Sequence, residues 1–159
     1  MALHKKEEVI CLELGDKDGL QVSYGNQAGI LEDWGQMEDA MGLLKKQEAI
    51  CLELGDQDGL QRSYGNQAMF LVKQGQLTQA LPLFQECESI CIALGLKRDL
   101  GYCYGQWSNL EAARYHRVAQ KQKLQQALAL FTELNMPRER DRAQSELDQL
   151  NSAEPPAKS

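Results

Sequence analysis

Few side chains in this sequence could do chemistry, and their spacing limits what they can be. Cys87 and Cys91 stand four residues apart, which puts both thiols on one helix face, as two ligands of a soft metal would require. The further ligands are missing, because the two histidines, His4 and His116, lie far apart and form no pair. The five cysteines (Cys11, Cys51, Cys87, Cys91 and Cys103) are an odd set with no secretory signal ahead of them. A disulfide framework is therefore not expected, and the cysteines read as small buried hydrophobes. Asp16-Lys17-Asp18-Gly19 and Asp56-Gln57-Asp58-Gly59 have the spacing that opens a calcium loop, but the glycine comes too early and the distal glutamate is not in place. His116 sits between Tyr115 and Arg117 without a nucleophile, and Glu7 and Glu8 read as a solvated helix face. No P-loop, G-x-S-x-G, H-E-x-x-H or C-x-x-C is present. The expectation is a non-enzymatic chain with no catalytic residue, no metal and no cofactor.

The chain has 159 residues and a formal net charge of −6, with 43% apolar and 25% charged residues, the mix of a soluble globular protein. No apolar run approaches the roughly 18 residues of a membrane span, and the opening MALHKKEEVICLELG lacks the continuous apolar stretch of a secretory signal. A cytoplasmic protein with no membrane partner is expected. Residues 1–80 carry all of the net charge; residues 81–159 are neutral overall. Basic residues gather late, at Arg114, Arg117, Lys121 and Lys123 and at Arg138, Arg140 and Arg142. Acidic groups interleave with them, so they read as a solvated face, and no nucleic-acid partner is expected.

The dominant feature is a repeat of 40 residues. Laying 1–40 on 41–80 without a gap matches 26 positions, and laying 41–80 on 81–120 matches 9. Cys11, Cys51 and Cys91 share one position, taken over by Phe131, while Leu14, Leu54, Leu94 and Leu134 share another. Gly15, Gly55 and Gly95 are followed in register by Asn135. Apolar residues at i, i+3, i+4 and i+7 run through 77–94 and 60–71, and no stretch sustains a period of two. Gly55 suits the left-handed residue after a helix, Asp56 an N-cap, and Asp58 the first turn of the next helix. Gly75 closes the other joint, so each unit is a two-helix hairpin. The spacing predicts eight helices, near 2–14, 17–34, 37–54, 57–74, 77–94, 97–113, 117–134 and 137–150. The fold expected is all-α: an α-solenoid of stacked antiparallel hairpins over 1–150, closed by a polar capping helix near 137–150, with a disordered tail at 151–159. Equivalent cysteines in neighbouring hairpins would then lie about 10 Å apart, beyond disulfide reach. Residue 1 falls mid-repeat, since MALHKK aligns with MGLLKK at 41–46. That predicts a piece of a longer array, with a sticky N-terminal end able to self-associate and a natural C-terminal one.

These residues resemble tetratricopeptide repeats (TPR). Tyr64, Ala68, Leu71, Ala80, Phe84 and Cys87 take the signature small and large positions in the second copy. Gln67 stands where leucine is usual, and the unit is longer than the usual one of about 34 residues. The long unit, with LGD-x-x-G between hairpins, is similar to the repeats of kinesin light chain, rapsyn and the Leu-Gly-Asn-repeat scaffolds. The near-identical copies also resemble arrays that follow an NTPase module in bacterial signalling proteins. The resemblance implies a scaffold that binds a protein or peptide partner, as an extended peptide or a partner helix, on the concave face lined by the first helix of each hairpin. An asparagine on that face would hold the backbone of an extended peptide through its amide, which both donates and accepts. Asn26 and Asn66 match it, and Gln106 keeps an amide there. Arg62, Met69, Lys73, Tyr102 and Asn109 share the face and would set selectivity. Gly25 and Gly65 are read as close helix-to-helix contacts, while Gly29, replaced by Met69 in the next copy, is not a packing requirement. The alternative is an assembly, spacer or sensor arm acting through end-to-end stacking.

Overall fold

The computed structural model describes residues 2–152, with side chains from residue 4 onward. They form eight α-helices and, among the described residues, no strand: α1 (Ala2–Leu14), α2 (Lys17–Asp33), α3 (Met37–Leu54), α4 (Gln57–Lys73), α5 (Leu77–Leu94), α6 (Lys97–Ala113), α7 (Arg117–Glu133) and α8 (Pro137–Ser152). The fold is an all-α solenoid, as the periodicity predicts. Helix α8 continues through Asn151 and Ser152, where the sequence pattern predicts tail; residues 153–159 lie outside the described residues.

Each helix packs on the next, and the closest pairs are α2 with α3, α4 with α5, and α6 with α7. These are the hairpins. The even-numbered helices also touch one another, α2 with α4 and α4 with α6. A layer whose helices meet sideways lies on the inside of the curve, so α2, α4 and α6 line the inner wall.

The joints follow from local chemistry. Gly15, Gly35, Gly55, Gly75 and Gly95 all adopt positive φ. At the end of α3 the N–H of Asp56 donates to the Cys51 carbonyl at 2.9 Å across the left-handed Gly55. Asp56 then caps α4 by accepting from the Gly59 N–H at 2.9 Å, and Asp16 caps α2 through Gly19 in the same way. The paired aspartates of these loops are therefore a helix cap and a first-turn charge. The later joints keep this backbone without glycine: Tyr115 has φ 59° and Asn135 φ 52°.

The core runs between hairpins. Ala40, Leu44 and Phe70 fill it in the first half; Ala80, Phe84, Trp107, Leu110 and Phe131 fill it in the second, with Phe84 and Trp107 stacked at 5.9 Å. Gln67 departs from leucine for a reason. It is buried, and it donates to Glu48 at 2.7 Å and Ser63 at 3.2 Å, while Ser63 donates to the Leu44 carbonyl at 2.9 Å. This ties α4 to the preceding α3 and satisfies a buried amide that would otherwise be costly. Gln27, Ser23, Glu8 and the His4 carbonyl repeat the arrangement one unit earlier. The register leucines are not core: Leu14, Leu54, Leu94 and Leu134 are 77%, 41%, 47% and 36% exposed. They end the outer helices just before the joints, where no neighbour covers them.

Two volume exchanges run through the copies. Gln21 accepts from the thiol of Cys51, and Gln61 from that of Cys91. At the third step both change together, to Gly101 and Phe131, and a Cβ on Gly101 would come within 2.7 Å of the Phe131 ring. The second exchange shapes the inner wall and is described next.

Candidate functional site

The inner wall carries the predicted residues, and the structure brings most of them together. Asn26 and Asn66 are exposed on α2 and α4, and Gln106 is half-buried on α6. Arg62 is exposed and held by Asp58 at 2.6 Å. Lys73 is exposed and forms an ion pair with Glu32 of α2, bridging two inner helices. Met69 is half-buried and Asn109 exposed. Tyr102, 42% exposed, donates to Glu139 at 3.2 Å and meets the Phe131 ring edge-on at 5.4 Å. Arg62, Asn66, Tyr102 and Gln106 line a cleft of about 210 Å³ between α4 and α6. Met69, Tyr102, Gln106 and Asn109 line a neighbouring cleft of about 240 Å³ that reaches α7 and α8. Asn26 and Lys73 line neither of these two clefts.

Sequence reasoning missed the contribution of α8. Glu139, Arg142 and Glu146 border the second cleft, although the polar helix reads as a solvent-facing cap. The signal was the period itself. One more step of 40 residues takes Val22, Arg62 and Tyr102 to Arg142, and takes Asn26, Asn66 and Gln106 to Glu146. The amide ladder thus ends on an acid, and Arg142 pairs with it at 3.2 Å.

The floor of the wall changes from copy to copy. A Cβ on Gly25 would lie 2.9 Å from the Gln47 amide, so that glycine is a close helix contact, as expected. A Cβ on Gly65 would meet only ordinary contacts, 3.5 Å from Gln106 and 3.7 Å from Cys87, so the close-contact reading fails there. A Cβ on Gly105 would meet nothing within 4 Å, because Ala127 stands in the register of Gln47 and Cys87. The shrinking partner opens the second cleft. Gly29 likewise faces open space.

Burial pushes the Cys51 thiol up to about 11, from a reference value of 9.0. A hydrogen bond to Cys103, together with burial, raises the Cys87 thiol, and a hydrogen bond to Cys87, then burial, raises Cys91. In the folded chain these thiols hold their protons at pH 7. Burial, then Glu139, raises the Tyr102 phenol, which keeps its proton for the hydrogen bond. Among the described residues no three or more His, Cys, Asp or Glu side chains are grouped to hold a metal. Of the late basic residues, Arg138, Arg140 and Arg142 are exposed, as a solvated face requires, whereas Arg114, Arg117 and Lys123 are half-buried. Lys123 lies 3.5 Å above Trp107 and 4.6 Å above Tyr104 and pairs with Glu88 at 3.3 Å; Arg114 pairs with Glu111, and Arg117 donates to the Leu150 carbonyl. The Glu88 pair and the Leu150 bond join the third hairpin to α5 and α8, while the ring contacts and the Arg114–Glu111 pair lie within it.

No family model matches this sequence, and no curated protein matches it. A solved structure of BtubC (BKLC) from P. vanneervenii is similar to this chain at a TM-score of 0.66 and 15% identity, over 91% of this chain and 70% of that one. At that identity the likeness shows the fold alone, a helical-repeat array, and the residues on the inner wall remain this chain's own.

Proposed function

We propose that the chain is a TPR-type, non-enzymatic interaction module that holds an extended segment of a protein partner along its inner wall. The observation that carries this reading is the ladder: Asn26, Asn66 and Gln106 at one register position on three consecutive inner helices, the last two bordering adjoining clefts. Each amide can donate to one peptide carbonyl and accept from one N–H. Arg62, Met69, Lys73, Tyr102 and Asn109 surround the ladder and read the side chains. The reading includes a cytoplasmic location, supported by five unpaired cysteines, four of them buried. A displayed library of linear peptides, selected on the purified chain, tests it. Enriched peptides should lose affinity about tenfold or more on Asn66→Ala, with the circular-dichroism spectrum unchanged. Equal binding by the folded Asn26→Ala/Asn66→Ala chain removes the ladder from the account.

A second reading, an assembly or spacer arm that stacks end to end, is favoured by the state of α1. Ile10 is 53% exposed where Ile50 and Ile90 are half-buried, and Leu14 is 77% exposed against 41% for Leu54. Val9, Ile10 and Leu14 thus leave an exposed apolar edge along α1. Light scattering over a concentration series separates the two: a rising mass that Ile10→Lys abolishes supports stacking, and a constant monomer mass counts against it.

A further inference from the structure

We propose that the cleft under Gly105 is a specificity pocket that takes one aliphatic side chain, of leucine or methionine size, followed by a basic residue of the bound segment. This rests on the inner-wall reading above and adds what that wall selects. Three observations on the page point to that occupant. First, the cleft holds about 240 Å³ and its floor is apolar, made by Leu124, Ala127, Phe131 and Ala143. An apolar floor of this kind is favourably covered by an aliphatic group leaving water. Second, the space is specific to this copy. Gln47 fills the equivalent position beneath Gly25, Cys87 half fills it beneath Gly65, and Ala127 leaves it open beneath Gly105. Third, the rim is acidic. Glu139 and Glu146 flank the mouth with Arg142 as their single basic neighbour there, so one negative charge is left over to face a lysine or arginine. The ladder meets the pocket at Gln106, which belongs to both clefts. A backbone held by Asn66 and Gln106 would therefore deliver its next side chain beneath Gly105.

The probe is the capped dipeptide N-acetyl-Leu-Lys-amide, titrated into isotope-labelled protein while amide shifts are followed by NMR. Saturable shifts are expected at Gly105, Ala127 and Ala143, with a dissociation constant on the order of 1 mM. Gly105→Leu, which places a side chain in the space from a helix position with no neighbour within 4 Å, should abolish them. Glu146→Gln should weaken the lysine dipeptide and leave N-acetyl-Leu-Gln-amide unchanged. Absence of saturable shifts at these residues, or their persistence in folded Gly105→Leu, overturns the pocket. Equal weakening of both dipeptides by Glu146→Gln overturns the basic preference. If the dipeptide binds while Asn26→Ala/Asn66→Ala leaves selected peptides unaffected, the ladder fails and the pocket stands.

Discussion

Two glycines one turn apart on α6 allow packing to be separated from helix propensity. Adding a methyl group to a helix-interior glycine gains about 1 kcal/mol of propensity wherever the group fits. At Gly105 it fits, since a Cβ there has no neighbour within 4 Å, so Gly105→Ala should stabilise by nearly that amount. At Gly101 the same methyl would sit 2.7 Å from one carbon of the Phe131 ring and 3.2 Å from two others. The ring has little room to retreat. It is 4% exposed, and Tyr102, itself tied to Glu139, packs against it edge-on. Forcing a methylene's worth of volume into a filled core costs about 1–3 kcal/mol. Both variants add the same group to the same helix, so the propensity gain cancels in their difference and the strain remains. Gly101→Ala should be less stable than Gly105→Ala by about 1–3 kcal/mol. Urea unfolding followed by circular dichroism measures this as a shift in midpoint at unchanged slope. If the two variants unfold at the same urea concentration, Phe131 does not fill the space of a missing side chain, and the paired-exchange account of the third hairpin is wrong.

Tyr115, 95% exposed at φ 59°, gains nothing from its ring, so Tyr115→Gly should raise stability by about 1 kcal/mol, read as a higher melting temperature. Asp56→Ala removes the acceptor for the Gly59 N–H and should cost about 1 kcal/mol, with hydrogen exchange speeding up first in the opening turn of α4. Because burial raises the Cys51 thiol to about 11 in the folded chain, its contribution to stability is complete below pH 9 and is lost as pH climbs through 11. The urea midpoint should therefore fall between pH 9 and pH 11, and fall less in Cys51→Ala; parallel pH profiles for the two proteins would refute the assignment.

The helices were legible because the 40-residue period fixes their phase independently at each copy, and their observed ends lie within a residue or two of those expected. The inner-wall positions were legible for the same reason: Asn26, Asn66 and Gln106 lie opposite the buried Tyr24, Ala68 and Tyr104 stripe, and helix geometry leaves them one direction to point. The roles of Gln67, Lys123 and the leucines before the joints were not legible. A buried glutamine is defined by Glu48 and Ser63 on two helices, and a packed lysine by two aromatic rings from α6; neither relation appears in a pattern of apolar residues. Leu54 and Leu94 satisfy the helical stripe, but the stripe ends in space where the hairpin turns away. Helix α8 was misread for a different reason. Its composition is polar, and composition outweighed the register that puts Glu146 on the ladder.

The copies differ by exchanges in which both partners change: Gln21 with Cys51 becomes Gly101 with Phe131, and Gly25 over Gln47 becomes Gly105 over Ala127. The backbone is indifferent to these exchanges, because each preserves or vacates a volume without moving a helix. The inner wall is not indifferent. In the first copy the floor beneath the ladder is filled by an amide, and in the third it is vacated and walled with Phe131 and α8. On the proposed reading, a segment along this wall would meet an amide at each step but side-chain-sized space chiefly at the last. The proposal thus places affinity in the repeated residues and selectivity in the exceptional copy. Replacing Asn66 should weaken all extended ligands alike, whereas filling the space under Gly105 should discriminate among them. A uniform loss from both changes would mean that the third copy reads nothing the first two do not.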